Sequence, residues 1–516
     1  MPEERDTEEN AASPEEESEL IRVRRAKLEK ILSSGGEPYK SSYARPGEIA
    51  QAADIAGKYQ GLEPGAASGD DAAVAGRLVG RREHGKATFA DLQDSTGKIQ
   101  LLLRQDVVGE QPFSQFSDLD VGDWVGAAGE VVRSRRGELS IAVQSYELLS
   151  KSLRPLPEKW HGLKDREQRY RQRYLDLLMN EEARRVLEAR ARMIKEIRCF
   201  FDERGFIEVE TPMLQPIAGG ATARPFVTYH NALGMDLYLR IAPELYIKRL
   251  LIGGYDKVYE MNRNFRNEWV SPRHNPEFTM LEAYQAFIDY HYLMEFLREL
   301  ITRAIVAVRG SEEFEFAGHQ ISLASPWKKV SVVGSLKEYA GLDLAITTDM
   351  AKLKTLASER EIEVPASAGP GWIIHELYEK LVEPQLIQPT FVTDYPEEVS
   401  PLARRNPDAP GFTERFEILM AGQEIANAFS ELIDPVYQRA RFEAQARKRA
   451  AGDEEAQPPD EDFLTALEYG MPPAGGIGVG IDRLTMIATG CQNIRDVIIF
   501  PHLRPQHGRS SQTRVE

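Results

Sequence analysis

Only two cysteines, Cys199 and Cys491, occur in 516 residues. Two thiols cannot build a disulfide framework, nor a zinc site on their own, so a reducing compartment and two inert side chains are expected. No uninterrupted apolar run reaches the roughly 20 residues a membrane helix needs, and glutamates stand where a secretory leader would carry a basic and then apolar stretch. A cytoplasmic protein is expected. Basic residues are also short: 64 Lys and Arg face 81 Asp and Glu, a net charge of -17. That balance argues at first against a nucleic-acid partner, because phosphate-binding proteins present surplus cations. The argument is weak here, since residues 1–19 alone hold eight Glu, one Asp and one Arg. Neither a P-loop nor a Rossmann glycine fingerprint occurs, and there is no internal repeat.

What is present divides the chain. Its length predicts two or three domains. Residues 1–18, rich in Glu, Asn, Ser and Pro, lack the apolar content to fold and are expected to be disordered. A helical segment, 19–64, follows: "ELIRVRRAKLEKIL" spaces Leu20, Val23, Leu28, Ile31 and Leu32 at near-helical intervals. This basic amphipathic helix either packs on a neighbour or touches an RNA backbone. Residues 65–152 hold five short strand-like runs separated by Gly, Asp and basic turns, the pattern of a small OB-fold barrel. Such barrels hold single-stranded nucleic acid by stacking and basic loops. Phe89, Arg81, Arg82, Arg133, Arg135 and Arg136 supply those groups, unless the arginines are merely solvated turns. "LRPLPEKWHG" opens a linker, 153–176. From 177 the pattern alternates between helix and strand, predicting one large α+β domain to residue 516 with a helical insertion near 345–385.

One stretch concentrates charge. "FRNEWVSPRHNPEF", Phe265–Phe278, sets arginines, glutamates and a histidine between two phenylalanines, at a junction between strand-like runs. Arginine forks suit phosphate or carboxylate, and phenylalanine faces suit a planar base. A nucleotide site is one reading; a solvated hairpin with surface ion pairs is the other. Glycines Gly476, Gly478 and Gly480 near the C-terminus either admit a ligand to the backbone or allow close strand–helix packing.

The order "FIEVETP", "FRNEWVSPRHNPEF", "GIGVGIDRLTM" resembles motifs 1, 2 and 3 of the class II aminoacyl-tRNA synthetases, and "GGATARPF", "LRIAPELYIKRL", "EIANAFSEL" and "NIRDVIIFPHLRP" resemble the bacterial type of lysyl-tRNA synthetase. The likeness runs from about residue 73 onward. It implies an OB-fold anticodon-binding domain and a catalytic domain built on an antiparallel sheet flanked by helices. The implied activity is the charging of tRNA(Lys) with L-lysine at the cost of ATP, with Mg²⁺, in a cytoplasmic homodimer. It also implies roles. Arg266 and Arg483 would be catalytic; Arg266, Glu268, His274, Asn275, Phe278, Glu417, Glu424 and Arg483 would hold ATP, with Glu417 and Glu424 as metal ligands. Gly220, Glu244, Arg266, Tyr284, Asn427, Phe429 and Glu431 would hold lysine. Arg81, Phe89, Gln100 and Glu138 would read the anticodon. Trp269 departs from the family's usual glycine, and Ala428 replaces another glycine. A paralogue that modifies protein lysines would lack the barrel, and a catalytically silent RNA-binding relative would have lost Arg266, Arg483 or the metal carboxylates.

Overall fold

The computed structural model describes residues 14–44, 47–157, 165–450, 452, 456 and 458–505, the side chains of 14–18 excepted. Positions 1–13 of the acidic segment lie outside the described residues, and the first helix, Pro14–Ser33, begins within its last part. The chain divides into two compact units, Met1–Gly162 and Leu163–Glu516.

In the first unit all five expected runs form strands: β1 (Ala67–His84), β2 (Ala87–Gln93), β3 (Lys98–Arg104), β4 (Trp124–Arg133) and β5 (Leu139–Ser150). They pair in the order β1-β2-β3-β5-β4, and β4 returns to β1, closing the ring. Alternate residues such as Ala90, Leu92, Leu101, Leu103, Ile141 and Val143 point inward and fill it. A β-bulge at Ala128/Gly129 brings strands so close that a Cβ on Gly129 would stand 2.0 Å from the Ala142 carbonyl oxygen. The basic helix packs on its neighbour through part of its charge, while Arg22 and Arg25 stay exposed. Arg24 is buried and donates to the carbonyls of Val121 (2.9 Å) and Arg154 (3.0 Å), and Lys27 and Lys30 meet Asp120 and Asp118 at 2.6 and 2.7 Å.

Of the expected linker, residues 158–164 lie outside the described residues, and its second half is helical: Arg166–Arg171 and Arg173–Met179. The reason is a buried pair. Arg173 donates to Asp176 at 2.6 Å and to the Ile499 carbonyl at 2.9 Å, anchoring this stretch in the second unit.

The second unit opens with helix Glu181–Asp202, whose buried face includes Val186, Met193, Ile197, Phe200 and Phe201. Leu187, Ile194 and Cys199 are only partly buried. Gly205 takes φ +72°, the left-handed turn expected of a residue just past a helix end. The strands that follow include β6 (Ile207–Glu208), β7 (Lys257–Phe265), β8 (Glu277–Ala286), β9 (Lys328–Ser331), β10 (Thr390–Thr393), β11 (Arg415–Met420), β12 (Gln423–Ser430) and β13 (Ala474–Gly480). They form one eight-stranded sheet in the order β9-β10-β11-β12-β13-β8-β7-β6. Its interior pairings are antiparallel, as expected, but β6 on β7 and β9 on β10 are parallel, so the sheet is mixed at both edges.

One face of this sheet presents Leu281, Ala283, Ile477, Val479, Ile418 and Ala426 to the helices Glu181–Asp202, Tyr290–Arg309 and Ile481–Thr489, forming the largest core. Period-two alternation then obliges the intervening residues to occupy the opposite face. The expected helical insertion is present as Met350–Ser358 and Pro370–Leu381, joined by Val332–Ala340 around a core of Leu353, Ile374, Leu377 and Tyr378. Among the described residues, no helix is long and apolar enough to cross a membrane.

Candidate active site

The face not covered by those helices carries the residues singled out from the sequence. Register places them in rows, since opposed residues on neighbouring strands share a face. Glu282, Gly478, Asn427 and Glu417 form one row across β8, β13, β12 and β11; Tyr284, Gly476, Phe429 and Arg415 form the next. The middle strand contributes only glycine. At Gly476 the vacated space is taken by the walls: a Cβ would lie 2.3 Å from Glu431 Oε1 and 2.5 Å from the Tyr284 ring. At Gly480 a Cβ would meet nothing nearer than 3.8 Å. Gly476 thus makes room for Glu431 and Tyr284 rather than for a packed helix, and Gly480 leaves open space above the strand.

Toward Gly480 a cavity of about 710 Å³, its open mouth included, is lined by Arg266, Glu268, His274, Asn275, Phe278, Glu424 and Arg483 among others. Arg266, just past β7, sits with its guanidinium carbon 5.1 Å from the Phe278 ring centre, and its buried Nε has no hydrogen-bond partner. A buried donor without a partner is costly unless an anion arrives. Arg483, in the first turn of Ile481–Thr489, donates through Nη1 to the Glu424 carbonyl (3.0 Å) and carboxylate (3.1 Å). Its Nη2 lies 3.0 Å from His274 Nε2. Guanidinium can only donate, so Nε2 accepts, and Nδ1–H donates to Ser271 Oγ at 2.8 Å. Burial first, then Arg483, holds the imidazole below its ordinary pKa, so it stays neutral. Asn275 Oδ1 is buried without a partner. Trp269, 87% exposed, stands at the rim.

Glu417 does not line this cavity, but it borders it through Glu424. It is buried, gives one oxygen to Arg415 Nη2 at 2.6 Å, and is pushed up to about pKa 7 by burial and then by the Glu424 charge. A buried carboxylate beside a second one that is 39% exposed at the cavity is a donor set suited to a hard divalent cation.

Toward Gly476 lies a second cluster, also outside that cavity. Glu244 begins helix Glu244–Ile252, and Glu431 follows β12. Between them runs Lys248, 1% exposed, whose Nζ is at ion-pair distance from both carboxylates. Glu431 still has no hydrogen bond of acceptable geometry on either oxygen, so Lys248 reaches it as a charge, not as an aligned donor. Burial raises Glu431 to about 8. Burial alone would lower Lys248, but Glu244 and Glu431 outweigh it and raise the ammonium's pKa. Glu282, also pushed up to about 8 by burial and by Glu244, accepts from the Tyr284 hydroxyl at 3.2 Å. Asn427 Oδ1 accepts from Arg415 Nε at 2.9 Å. Gly220, at φ +88°, comes so near Glu244 that a Cβ would lie 3.0 Å from its Cβ.

Residues 165–504 match the class II tRNA synthetases (D, K and N), and residues 72–149 match the OB-fold nucleic acid binding domain. The chain belongs to the class II tRNA synthetases. The synthetase is 53% identical to the lysine–tRNA ligase of Syntrophomonas wolfei, over 95% of its own chain and 98% of that relative. It is 52% identical to the lysine–tRNA ligase of Moorella thermoacetica and 51% to that of Carboxydothermus hydrogenoformans, each over 95% of its own chain and 99% of theirs.

In the OB-fold of the synthetase, register brings three of the four expected anticodon residues to one surface. Phe89 lies on the outward side of β2, two positions from Asp91, which opposes Gln100; Gln100 opposes Ser140, two positions beyond Glu138. Gln100 is buried and its Oε1 accepts from Ser140 Oγ at 3.0 Å, while Glu138 is exposed in the turn before β5. Arg81 differs. Its Nη1 is engaged by the carbonyls of Ser117 (2.8 Å) and Leu119 (2.6 Å), so it braces the barrel's own loop.

The sequence reading missed five residues of the catalytic unit: Arg190, Asp482, Lys248, Glu282 and Arg415. Asp482 stands beside Arg483 inside "GIDRLTM", Lys248 stands within "LRIAPELYIKRL", and Glu282 comes shortly after Phe278, so the signal was adjacency alone. Arg190 and Arg415 look like ordinary surface charges until the fold buries their partners.

Proposed function

We propose that this synthetase is a lysine–tRNA ligase that activates L-lysine with ATP and transfers it to the 3′ end of tRNA(Lys). The reading is supported above all by one arrangement: buried Glu244 and Glu431 at one end of a glycine-floored surface, with Arg266 and Arg483 at the other. Carboxylates in a dry pocket suit the two ammonium groups of lysine, and a substrate lacking the distal one would leave buried charge unanswered.

In this reading Glu431 and Tyr284 receive the ε-ammonium, Glu244 and the Gly220 backbone the α-ammonium, with Asn427 and Phe429 along the chain. Arg266 neutralises the lysine carboxylate and the α-phosphate together, so that two anions can meet. Phe278 stacks on adenine, with Glu268, His274 and Asn275 at the adenosine end; Arg483 takes the outer phosphates. Glu417 and Glu424 would hold Mg²⁺, which supplies charge neutralisation on the phosphates. A lysine carboxylate oxygen attacks the α-phosphorus as the bond to pyrophosphate breaks; the terminal ribose hydroxyl then attacks the acyl carbon and AMP leaves. The anticodon is read in the OB-fold through Phe89, Gln100 and Glu138, with Arg81 bracing the loop at residues 117–119. A cytoplasmic homodimer fits the same reading: Ile207, Leu214, Val227 and Leu233 leave apolar surface exposed near the motif 1 region.

Lysine-dependent ATP–pyrophosphate exchange, followed by charging of tRNA(Lys), tests this. Exchange with lysine and not with leucine is expected; no exchange with any amino acid would sink the reading.

A further inference from the structure

Lys248 has no part in the reaction as described, yet its side chain is 1% exposed, in the heart of the catalytic unit. It stands one helical turn beyond Glu244 and reaches Glu431 on a different element. Its Nζ lies 5.4 Å from the centre of the Phe429 ring and 6.0 Å from that of Tyr284, within reach of attraction to either ring. Burying a lysine costs its hydration, so the site must gain from the charge. What it gains is control of two carboxylates. Left without a cation in a low dielectric, two neighbouring carboxylates share a proton, and a protonated carboxyl is a poor partner for an arriving ammonium.

We propose that Lys248 is a positioning residue for amino-acid selection, a permanent counter-charge that holds Glu244 and Glu431 apart and limits their protonation, so that each can exchange its proton for one ammonium of the substrate. This rests on the lysine reading of the pocket. The other charged groups facing the cluster are already engaged. Arg415 points its field at Glu244 but is held by Glu417 and Asn427. Behind Glu282, Arg240 is paired with Glu260 at 2.6 Å. Glu282 and Tyr284 bond to each other. Among the described residues, Lys248 is thus the ammonium that serves both pocket carboxylates.

The test uses the full chain and lysine-dependent ATP–pyrophosphate exchange. Activity of the unaltered protein with lysine comes first; its absence would overturn the lysine reading itself, before any variant is judged. Lys248→Gln keeps a hydrogen-bond donor and removes the charge. At neutral pH its KM for lysine should rise by about tenfold or more, the factor that accompanies one unit of displaced carboxyl titration. Its KM for ATP should stay within about twofold, and the pH at which lysine KM levels off should move upward. Lys248→Arg keeps the charge and should keep the pH dependence of the unaltered protein. An unchanged or lower KM for lysine in Lys248→Gln, an unmoved pH profile, or lysine and ATP KM values rising together would each overturn the proposal. Should Lys248→Gln not fold, Lys248→Arg decides: an unmoved profile supports the proposal and a displaced one overturns it.

Discussion

The carboxylate of Asp482 accepts the main-chain N–H of Thr279 at 2.7 Å, fastening the first turn of helix Ile481–Thr489 to strand β8. Its other oxygen takes Arg190 Nη1 at 2.5 Å, and Arg190 Nη2 donates to Thr279 Oγ1 at 3.0 Å. The residue next to Asp482 is Arg483, so this triangle sets where the Arg483 guanidinium stands. Arg190→Met would leave Asp482 buried and unpaired, a loss of about 3 kcal/mol or more in urea unfolding. Pyrophosphate exchange should fall as well; unchanged stability would contradict the assigned role.

Arg266→Ala should remove exchange by a factor of about 10²–10³, the scale of losing one preorganised charge-stabilising group. The fold should survive, because the Arg266 side chain contributes a stack on Phe278 and a buried Nε without a partner. Circular dichroism and unfolding midpoint check the second half of this expectation.

Phe89→Ala should spare exchange and weaken charging, since it removes a stacking surface worth about 1–3 kcal/mol per base. Steady-state kinetics with tRNA(Lys) measure it. Equal loss in both steps would contradict the anticodon role.

Gly476→Ala should raise the KM for lysine while leaving that for ATP, because the new Cβ would stand 2.3 Å from Glu431 Oε1. Forcing the walls apart should also cost about 1–3 kcal/mol of stability. Gly480→Ala, with nothing nearer than 3.8 Å, should be tolerated by the packing.

Glu431 gives a pH dependence. Its folded value of about 8 lies above the ordinary 4.5, so the folded protein holds a proton there that the unfolded chain has already released. Such a group stabilises the fold fully below the lower value, and that contribution is lost as pH rises through the higher one. Lysine supplies a positive charge in place of the proton. Thermal stabilisation by saturating lysine should therefore grow between pH 6 and pH 8, and Glu431→Gln should flatten the trend.

Much of this was legible in the sequence for a physical reason. Five short strand-like runs separated by Gly, Asp and basic turns mark the barrel's strands, and Arg266 and Phe278 sit in one stretch whose charge and aromatics announce a ligand. Partnership was not legible. Arg81 and Phe89 looked equally available to RNA, but Arg81 is held by carbonyls contributed from residues 117 and 119, a loop far along the chain. Glu417 reads as a surface carboxylate without the family likeness, and only the stacking of β11 against its neighbours buries it to 7% exposure. Lys248 lies in a helix whose pattern does not mark it, since Glu431, which gives it meaning, comes 183 positions later. The helices in the second half of the expected linker were illegible for the same reason, since they depend on Arg173 meeting Ile499.

The glycines of β13 also bound what protein engineering could do here. A floor of bare main chain has no side chain to trim, so substitution there can only add bulk and narrow the pocket. On the proposed reading of the pocket, recoding this enzyme for a lysine analogue would proceed through Tyr284, Phe429 and Glu431, where bulk and charge can still be traded.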